Sequence, residues 1–166
     1  MRQDKFRRIK YITGKKLLSI IQKSLCALSR TDKGVILELG GFPDGFTFSL
    51  DAGVSDVMRL TVRENRLVTS GADDCADLAV AFKDITGAFP VLLGTKSIES
   101  AFIEHRVTVS GGIDYAVSFV RIINIARAYL LPKRVLIKTD MRIPDKKGSV
   151  FAFYKNLIFL KEEAFR

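Results

Sequence analysis

The sequence has few of the residues that build metal and redox sites. Its 166 residues include one histidine and two cysteines. A single imidazole excludes the zinc sites that are built on paired histidines. Cys26 and Cys75 follow no metal or redox spacing, so we interpret them as buried or incidental thiols of a reducing compartment. We therefore predict neither a metal nor a cofactor.

Long apolar runs are also missing. No stretch of about 18 apolar residues occurs, so no segment is predicted to span a bilayer. Gln22 and Lys23 interrupt the apolar run that follows the basic N-terminus, which argues against a secretory signal. We expect a cytoplasmic protein that can contact a membrane peripherally.

Catalytic motifs are scarce. The glycine pairs at 40–41 and 111–112 lack the spacing of a phosphate loop, and no Gly-x-Ser-x-Gly elbow is present. The best acid–base combination joins His105 with Glu104, Glu99 or Asp77. A histidine between charged neighbours at a strand start is more often solvated or capping, so we predict no catalytic residues and no enzyme.

Positive charge is concentrated at the two ends. The net charge is +9, with +6 in residues 1–16, +5 in residues 132–166 and −2 between them. A nucleic-acid groove needs a continuous basic face, so this distribution argues against nucleic acid. An anionic membrane surface fits better, because each nearby Lys or Arg contributes about 1 kcal/mol. The alternative is that the ends are only solubilising. The predicted membrane-contact residues are Arg7, Arg8, Lys10, Lys15 and Lys16.

The order of predicted elements indicates the fold class. Helical periodicity marks residues 16–29, 85–93, 98–103 and 113–131, the last of them ending at Pro132. Strand patterns mark residues 35–39, 46–50, 57–63, 77–82 and 106–110, the first two forming a hairpin. A further strand pair is predicted at 135–139 and 150–160. Such an order predicts an α+β fold with a mostly antiparallel five-stranded sheet and helices on one face.

The longest predicted helix has two unlike sides. Its polar half carries Asp114, Ser118, Arg121, Asn124 and Arg127. Its apolar arc carries Tyr115, Phe119, Ile122, Ile123, Ala126, Tyr129 and Leu130. On residue types alone, such an arc is ordinary core packing.

The order of residues in 94–111 resembles a known family. Gly94 and Lys96 are followed by the pair Ala101 and Phe102, and then by an alternating strand that closes with Ser110 and Gly111. This order is similar to the sterol carrier protein type 2 lipid-transfer family, without gaps over 94–111 and more weakly over 34–131. One position departs, because His105 stands where the family usually has glycine.

The resemblance implies a lipid-binding domain at 34–131, preceded by a basic segment with an amphipathic helix at 1–33 and followed by a basic extension at 132–166 that packs on the same domain. It implies an apolar tunnel between sheet and helices for a sterol, acyl chain or isoprenoid. Burial of about 0.8 kcal/mol per methylene would suffice for binding without catalytic groups. The implied ligand residues are Phe82, Phe89, Leu92, Leu93, Phe102, Ile103, Phe119, Ile122, Ile123 and Ala126.

A second hypothesis gives the same apolar helix face another role. The chain would then be a non-catalytic protein-interaction or accessory module, for example in quinone lipid synthesis. The sequence does not choose between a lipid and a protein as the partner of this face.

Overall fold

The computed structural model describes residues 2–71, 76–136 and 144–159. Seven helices and five strands occur in these ranges. The helices are α1 (Arg2–Thr31), α2 (Lys33–Leu39), α3 (Ile85–Leu92), α4 (Ile98–Ile103), α5 (Ile113–Leu130), α6 (Lys133–Leu136) and α7 (Val150–Phe159). The strands are β1 (Thr47–Asp51), β2 (Val57–Arg63), β3 (Arg66–Thr69), β4 (Leu78–Phe82) and β5 (Val107–Ser110).

The strands form one sheet in the order β3-β2-β1-β4-β5. Three neighbouring pairs are antiparallel, whereas β1 and β4 run parallel. The predicted α+β class is confirmed. The sheet is mixed, because β4 begins at the same end of the sheet as β1 and therefore runs parallel to it. None of the described helices combines the length and hydrophobicity that a bilayer crossing needs.

One face of the sheet carries the core. Alternate strand residues point towards the helices and are buried: Phe48, Leu50, Met58, Leu60, Val62, Leu67, Leu78, Val80 and Phe82. The opposite face carries mostly small or polar side chains, such as Ser49, Ala79 and Thr108. Leu18, Leu25 and Leu28 of α1 and Phe153 of α7 complete the same core. The domain boundaries that the sequence suggests stay a prediction.

The first predicted strand, residues 35–39, is wrong, because these residues form α2. Asp32 caps this helix, its Oδ1 accepting from the backbone N–H groups of Gly34 at 2.7 Å and Val35 at 3.1 Å. Val35 and Leu39, four residues apart, then both point into the core. A buried cap therefore outweighs the strand preference of a short apolar run.

With residues 35–39 in a helix, the fifth strand of the sheet is β3, which lies at a position where the sequence pattern indicates no strand. It pairs with β2 through a two-residue turn at Glu64 and Asn65, whose φ angles are 50° and 57°. Such a turn suits hairpins but usually contains glycine. Because Glu64-Asn65 contains no glycine, the sequence pattern does not indicate this hairpin.

The predicted C-terminal strand pair is also wrong. Its second member forms helix α7, which begins after Ser149 and buries Phe153 completely. The Ser149 hydroxyl accepts from the Ala152 N–H at 3.3 Å. In the first member, Val135 and Leu136 belong to α6, and residues 137–139 lie outside the described residues.

The other helices lie where the sequence predicts them, with one extension. The helix predicted at 16–29 begins at Arg2. Gly14 lies within it, and an added Cβ there would lie 2.6 Å from Cδ1 of Ile85 on α3. Cys26 is buried, and this burial raises its thiol pKa to about 11. Cys75 lies outside the described residues.

Candidate functional site

The segment that carries the family resemblance folds into a loop, a helix and an edge strand. Gly94 ends the turn after α3 with φ +77°, and a Cβ there would come within 2.0 Å of Leu131 Cδ1. The Ser97 hydroxyl caps α4 by accepting from the Ser100 N–H at 3.0 Å. Ala101 is fully buried, and Gly111 leaves room for the Asp77 carbonyl. Gly94, Ala101 and Gly111 of the motif thus permit a tight turn and close packing of the backbone.

His105, which stands where the resembled pattern has glycine, has an unusual backbone conformation. Helix α4 ends in a Schellman motif, in which the N–H of His105 donates to Phe102 O at 2.9 Å and that of Arg106 to Ala101 O at 2.9 Å. His105 has φ +56°, a left-handed conformation that glycine adopts without strain. His105 therefore occupies a backbone position that suits glycine.

We predict that His105→Gly raises the free energy of unfolding by about 0.5–1 kcal/mol, because it relieves left-handed strain that exceeds the flexibility glycine adds to the unfolded chain. Urea denaturation followed by circular dichroism measures the difference. His105→Ala serves as the matched control and should give no gain. Equal stability of the two variants would show that the turn is unstrained.

Glu104, Glu99 and Asp77, the predicted acid–base partners of His105, bond to other groups. Glu104 bonds Lys96 Nζ at 2.5 Å and Arg106 Nε at 2.8 Å, and the Lys96 hydrogen bond lowers its carboxyl pKa. Glu99 accepts from Asn124 Nδ2 at 3.1 Å, and Asp77 Oδ2 accepts from the Thr47 N–H at 2.8 Å. In the described ranges, no group of three His, Cys, Asp or Glu side chains could hold a metal ion.

The ten predicted ligand residues fall into an interior and a surface group. Phe82, Leu92, Phe119, Ile122, Ile123 and Ala126 are buried, and Phe89 is half-buried. Leu93, Phe102 and Ile103 are exposed, to 38%, 54% and 75%. The two groups are neighbours along the chain but differ in accessibility, so only the surface group can meet a ligand without movement of the core.

Aromatic side chains fill the space between β1 and α5. Phe119 stacks on Phe48 at 4.8 Å between ring centroids, with only 12° between the ring planes. Tyr115 contacts Phe46 at 4.6 Å and Phe42 at 5.3 Å. Ring pairs at such distances stabilise a packed interior. Ligand binding between β1 and α5 therefore requires these rings to move.

An open pocket of about 390 Å³ lies elsewhere, on the outer side of α5. It contains none of the ten predicted ligand residues and differs from the predicted tunnel in having many polar groups. Its lining residues are Gly34, Leu37, Glu38, Arg121, Asn124, Ile125, Pro144, Asp145 and Lys147.

The helical layer leaves one end of β5 uncovered. Val107 and Val109 point to the same side of this edge strand, opposite Phe82 and Val80 of β4. Val107 is buried, whereas Val109 is 37% exposed although it lies on the core face. The core face of the sheet is thus accessible to solvent at Val109.

Exposed apolar residues also lie on the helices that precede and follow β5 in the chain. Phe102 and Ile103 end α4, which packs beside β5. Ile113 and Val117 lie on the first turns of α5 and are 77% and 46% exposed. The Glu99–Asn124 hydrogen bond holds α4 beside α5. We call Phe102, Ile103, Val109, Ile113 and Val117 the β5 rim.

The sequence prediction found only part of the β5 rim. It named Phe102 and Ile103 but missed Val109, Ile113 and Val117. The alternation of Val107 and Val109 signals a core-facing pair, yet it does not reveal that the helices stop short of the second valine.

The predicted membrane-contact residues lie on the N-terminal half of α1. Arg7, Arg8, Lys15 and Lys16 are exposed and Lys10 is half-buried. Lys15 Nζ lies 2.9 Å from Asp56 Oδ2, and this bond raises the Lys15 pKa. Apolar side chains are interleaved with these charges, because Phe6, Ile9 and Ile12 are 62%, 51% and 48% exposed.

No family model matches the sequence, and no curated protein matches it. Solved structures show low similarity. A UbiJ-SCP2 ubiquinone synthesis protein is 18% identical, with 70% of this chain and 92% of that chain covered at a TM-score of 0.42. Sterol carrier protein 2 from Yarrowia lipolytica is 17% identical, with 64% and 86% covered at 0.45. Sterol carrier protein 2 like 2 from Aedes aegypti is 14% identical, with 52% and 87% covered at 0.35. All three carry the name of the family that residues 94–111 resemble, and no residue role is transferred from them.

Proposed function

We propose that this protein binds a hydrophobic ligand, such as a sterol, an acyl chain or an isoprenoid, which reaches the core through the β5 rim. The observation that carries the proposal is Val109, a residue of the core face that is exposed to solvent. Clustered exposed apolar side chains are typical of ligand or partner sites. The ligand residues predicted from the sequence would continue from this rim into the interior.

Binding would use apolar burial and no chemistry. A hydrocarbon chain at the rim would contact Phe102 and Ile103 first and then displace rings near Phe119. Each buried methylene contributes about 0.8 kcal/mol before ordering is subtracted. An acyl chain thus has enough apolar surface to offset the movement of a few side chains.

The packed aromatic interior favours a second candidate function. If the rings around Phe48 and Phe119 do not move, the β5 rim would bind an apolar surface of a partner protein instead. The chain would then act as a non-catalytic accessory module. A lipid in the purified protein distinguishes the two functions.

Mass spectrometry of an organic extract from the purified protein tests the proposal. We expect a lipid in stoichiometric amount, and the spectrum would also identify its class. A lipid-free extract, together with no binding of added oleate, would reject lipid binding and leave the partner-protein function.

We further propose that the carrier docks on anionic membranes through α1. Its exposed Phe6, Ile9 and Ile12 recur every three residues among Arg7, Arg8 and Lys16. Apolar side chains flanked by basic ones suit a helix that lies in a membrane interface. The basic groups would contact lipid phosphates while the apolar groups enter the headgroup layer.

Neutralising three of these charges, with Arg7→Gln, Arg8→Gln and Lys16→Gln, should weaken binding to phosphatidylserine vesicles roughly a hundredfold, at about 1 kcal/mol per charge. Co-sedimentation measures the partition, with pure phosphatidylcholine vesicles as the uncharged reference. A control variant neutralises the exposed Arg63, Arg66 and Lys83. Equal losses in both variants would mean that net charge alone, and not α1, directs docking.

A further inference from the structure

Arg127 is a buried arginine with few partners. The sequence placed it on the polar half of α5, but its residue surface is only 4% exposed. Its Nη2 donates to the Lys96 carbonyl at 2.9 Å. Its Nε and Nη1 are buried and find no hydrogen-bond acceptor among the described residues.

Such a group is unfavourable without a hydrogen-bond acceptor. A guanidinium carries five N–H donors, and a buried charge without compensation is strongly destabilising. Burial lowers the pKa of Arg127, and the charge of Glu99 opposes that shift. Glu99 is exposed and bonded to Asn124, so it leaves Nε and Nη1 without an acceptor. The free donors on Nε and Nη1 therefore suit an anion.

The surroundings of Arg127 connect it with the proposed lipid site. The guanidinium lies beneath the turn at Gly94, and an added Cβ there would come within 3.6 Å of Nη2. Leu92 and Leu93, two of the predicted ligand residues, directly precede this turn. Ile123 and Ala126 precede Arg127 on α5. Apolar residues thus flank Arg127 along α5 and along the chain before the turn that lies over its guanidinium.

We propose that Arg127 binds the anionic head group, a carboxylate or a phosphate, of an amphipathic ligand. The inference rests on the proposed lipid binding and names the chemical class of that ligand. The Lys96 carbonyl accepts one hydrogen of Nη2, and the other Nη2 hydrogen lies beside either the Nε–H or an Nη1–H, so one edge of the guanidinium still offers two parallel N–H groups that match two oxygens of a carboxylate or phosphate. A neutral sterol or alcohol cannot supply this pair of charged acceptors.

The position of Arg127 relative to the β5 rim agrees with an extended ligand. Ten residues of α5 separate Val117 from Arg127, which corresponds to about 15 Å along the helix axis. An acyl chain has this length scale. The head group would lie at Arg127 and the tail would run along α5 towards the rim.

Affinities of the wild-type protein for oleic acid, oleyl phosphate and oleyl alcohol provide the test, because these probes share one chain and differ in the head group. Displacement of a fluorescent fatty acid measures each affinity. We expect at least one of the two anionic probes to bind about tenfold or more tightly than the alcohol. The better anionic probe identifies the head group.

Three outcomes are separable. Binding of no probe rejects the proposed function itself. Equal binding of all three leaves lipid binding intact but overturns the role of Arg127, and would mean that a solvent molecule satisfies the guanidinium. A preference for an anionic probe supports the role and leads to the variants.

Arg127→Met should abolish the preference by lowering the affinity for the anionic probe far more than the affinity for the alcohol, and it should make the ligand-free protein more stable because it removes a buried charge. A variant that lowers affinity for acid and alcohol equally would contradict a head-group role. Arg121→Met, on the open pocket of the same helix, is the matched control. Loss of the preference in Arg121→Met alone would place the head group in that pocket and overturn the proposal.

A measurement on the wild-type protein remains decisive if Arg127→Met does not fold. Heteronuclear NMR resolves arginine Nε–H signals, and Arg127→Lys identifies the one that belongs to Arg127. We expect the anionic probe to shift this signal and oleyl alcohol to leave it in place. An unchanged signal at saturating concentrations of an anionic probe would overturn the proposal.

Discussion

Replacing Asp32 with alanine is expected to lower the free energy of unfolding by about 3–5 kcal/mol. Asp32 is fully buried, and its carboxylate connects three parts of the chain. Oδ1 caps α2, and Oδ2 accepts from Tyr129 OH at 2.7 Å and from the Lys147 N–H at 3.0 Å. The alanine variant would lose the cap, leave the part-buried Lys147 N–H without its acceptor, and leave Tyr129 OH with only the Gly148 carbonyl, at 3.1 Å.

The same carboxylate holds the C-terminal segment on α5. Tyr129 OH also accepts from the Gly148 N–H at 3.0 Å, and Tyr154 OH donates to Tyr129 O at 3.1 Å. Burial, together with the Asp32 bond, raises the Tyr129 pKa to about 12. These bonds hold the segment that contains α7 against α5, where the sequence pattern predicts a strand pair.

Urea denaturation of Asp32→Ala measures the predicted loss. Asp145→Ala, an exposed residue of the same segment, is the control and should stay within about 0.5 kcal/mol of the wild type. A loss below 1 kcal/mol for Asp32→Ala would show that the network contributes little to stability.

Charged residues at the β5 rim are expected to abolish most lipid binding. In the double variant Phe102→Asp, Ile103→Asp, we predict an oleate affinity at least about tenfold lower, because two apolar contacts of about 1.5–3 kcal/mol each are replaced by hydrated carboxylates. Both side chains are exposed, so folding should be preserved. Fluorescence displacement gives the affinity and circular dichroism checks the fold.

The matched control places the same charges on another exposed apolar surface. Phe151 and Ile158 of α7 are 79% and 71% exposed. Phe151→Asp, Ile158→Asp should bind oleate as the wild type does. If this control loses affinity while the rim variant keeps it, the site has been assigned to the wrong surface. Leu93→Asp extends the test to the turn beside Arg127.

The sequence predicts the middle of this fold well because its elements carry periodic signals. The helices at 85–93, 98–103 and 113–131 and the strands at 57–63 and 77–82 are confirmed within a residue or two. Each has clear apolar spacing and a polar boundary such as Asp84 or Ser97, which cap α3 and α4. Local pattern and tertiary packing agree in these elements.

The errors occur where tertiary contacts outweigh local preference. Residues 35–39 have strand-like composition, but Asp32 is held in place by Tyr129 and the 147–148 backbone, and its cap directs the chain into α2. These partners lie about a hundred residues further along the chain. No local pattern contains that information, so α2 and α7 could not be recognised as helices from periodicity.

The candidate site was only partly predictable for a related reason. Apolar spacing identifies Phe119 and Ile122 as inward-facing, but it cannot show whether they line a cavity or fill it. Likewise, the spacing of α5 assigns Arg127 to a polar side, although α4 and its preceding turn cover that side near Lys96. Exposure of Val109 and burial of Arg127 depend on where neighbouring helices end.

Photo-crosslinking tests most directly whether a lipid reaches the core through the β5 rim. The wild-type protein would be loaded with a fatty acid that carries a photoactivatable group along its chain, irradiated and mapped by peptide mass spectrometry. We predict cross-links within residues 102–117 and on the facing residues of α5. Cross-links confined to α1 or α7, or none above the level seen with competing oleate in excess, would contradict binding through this opening.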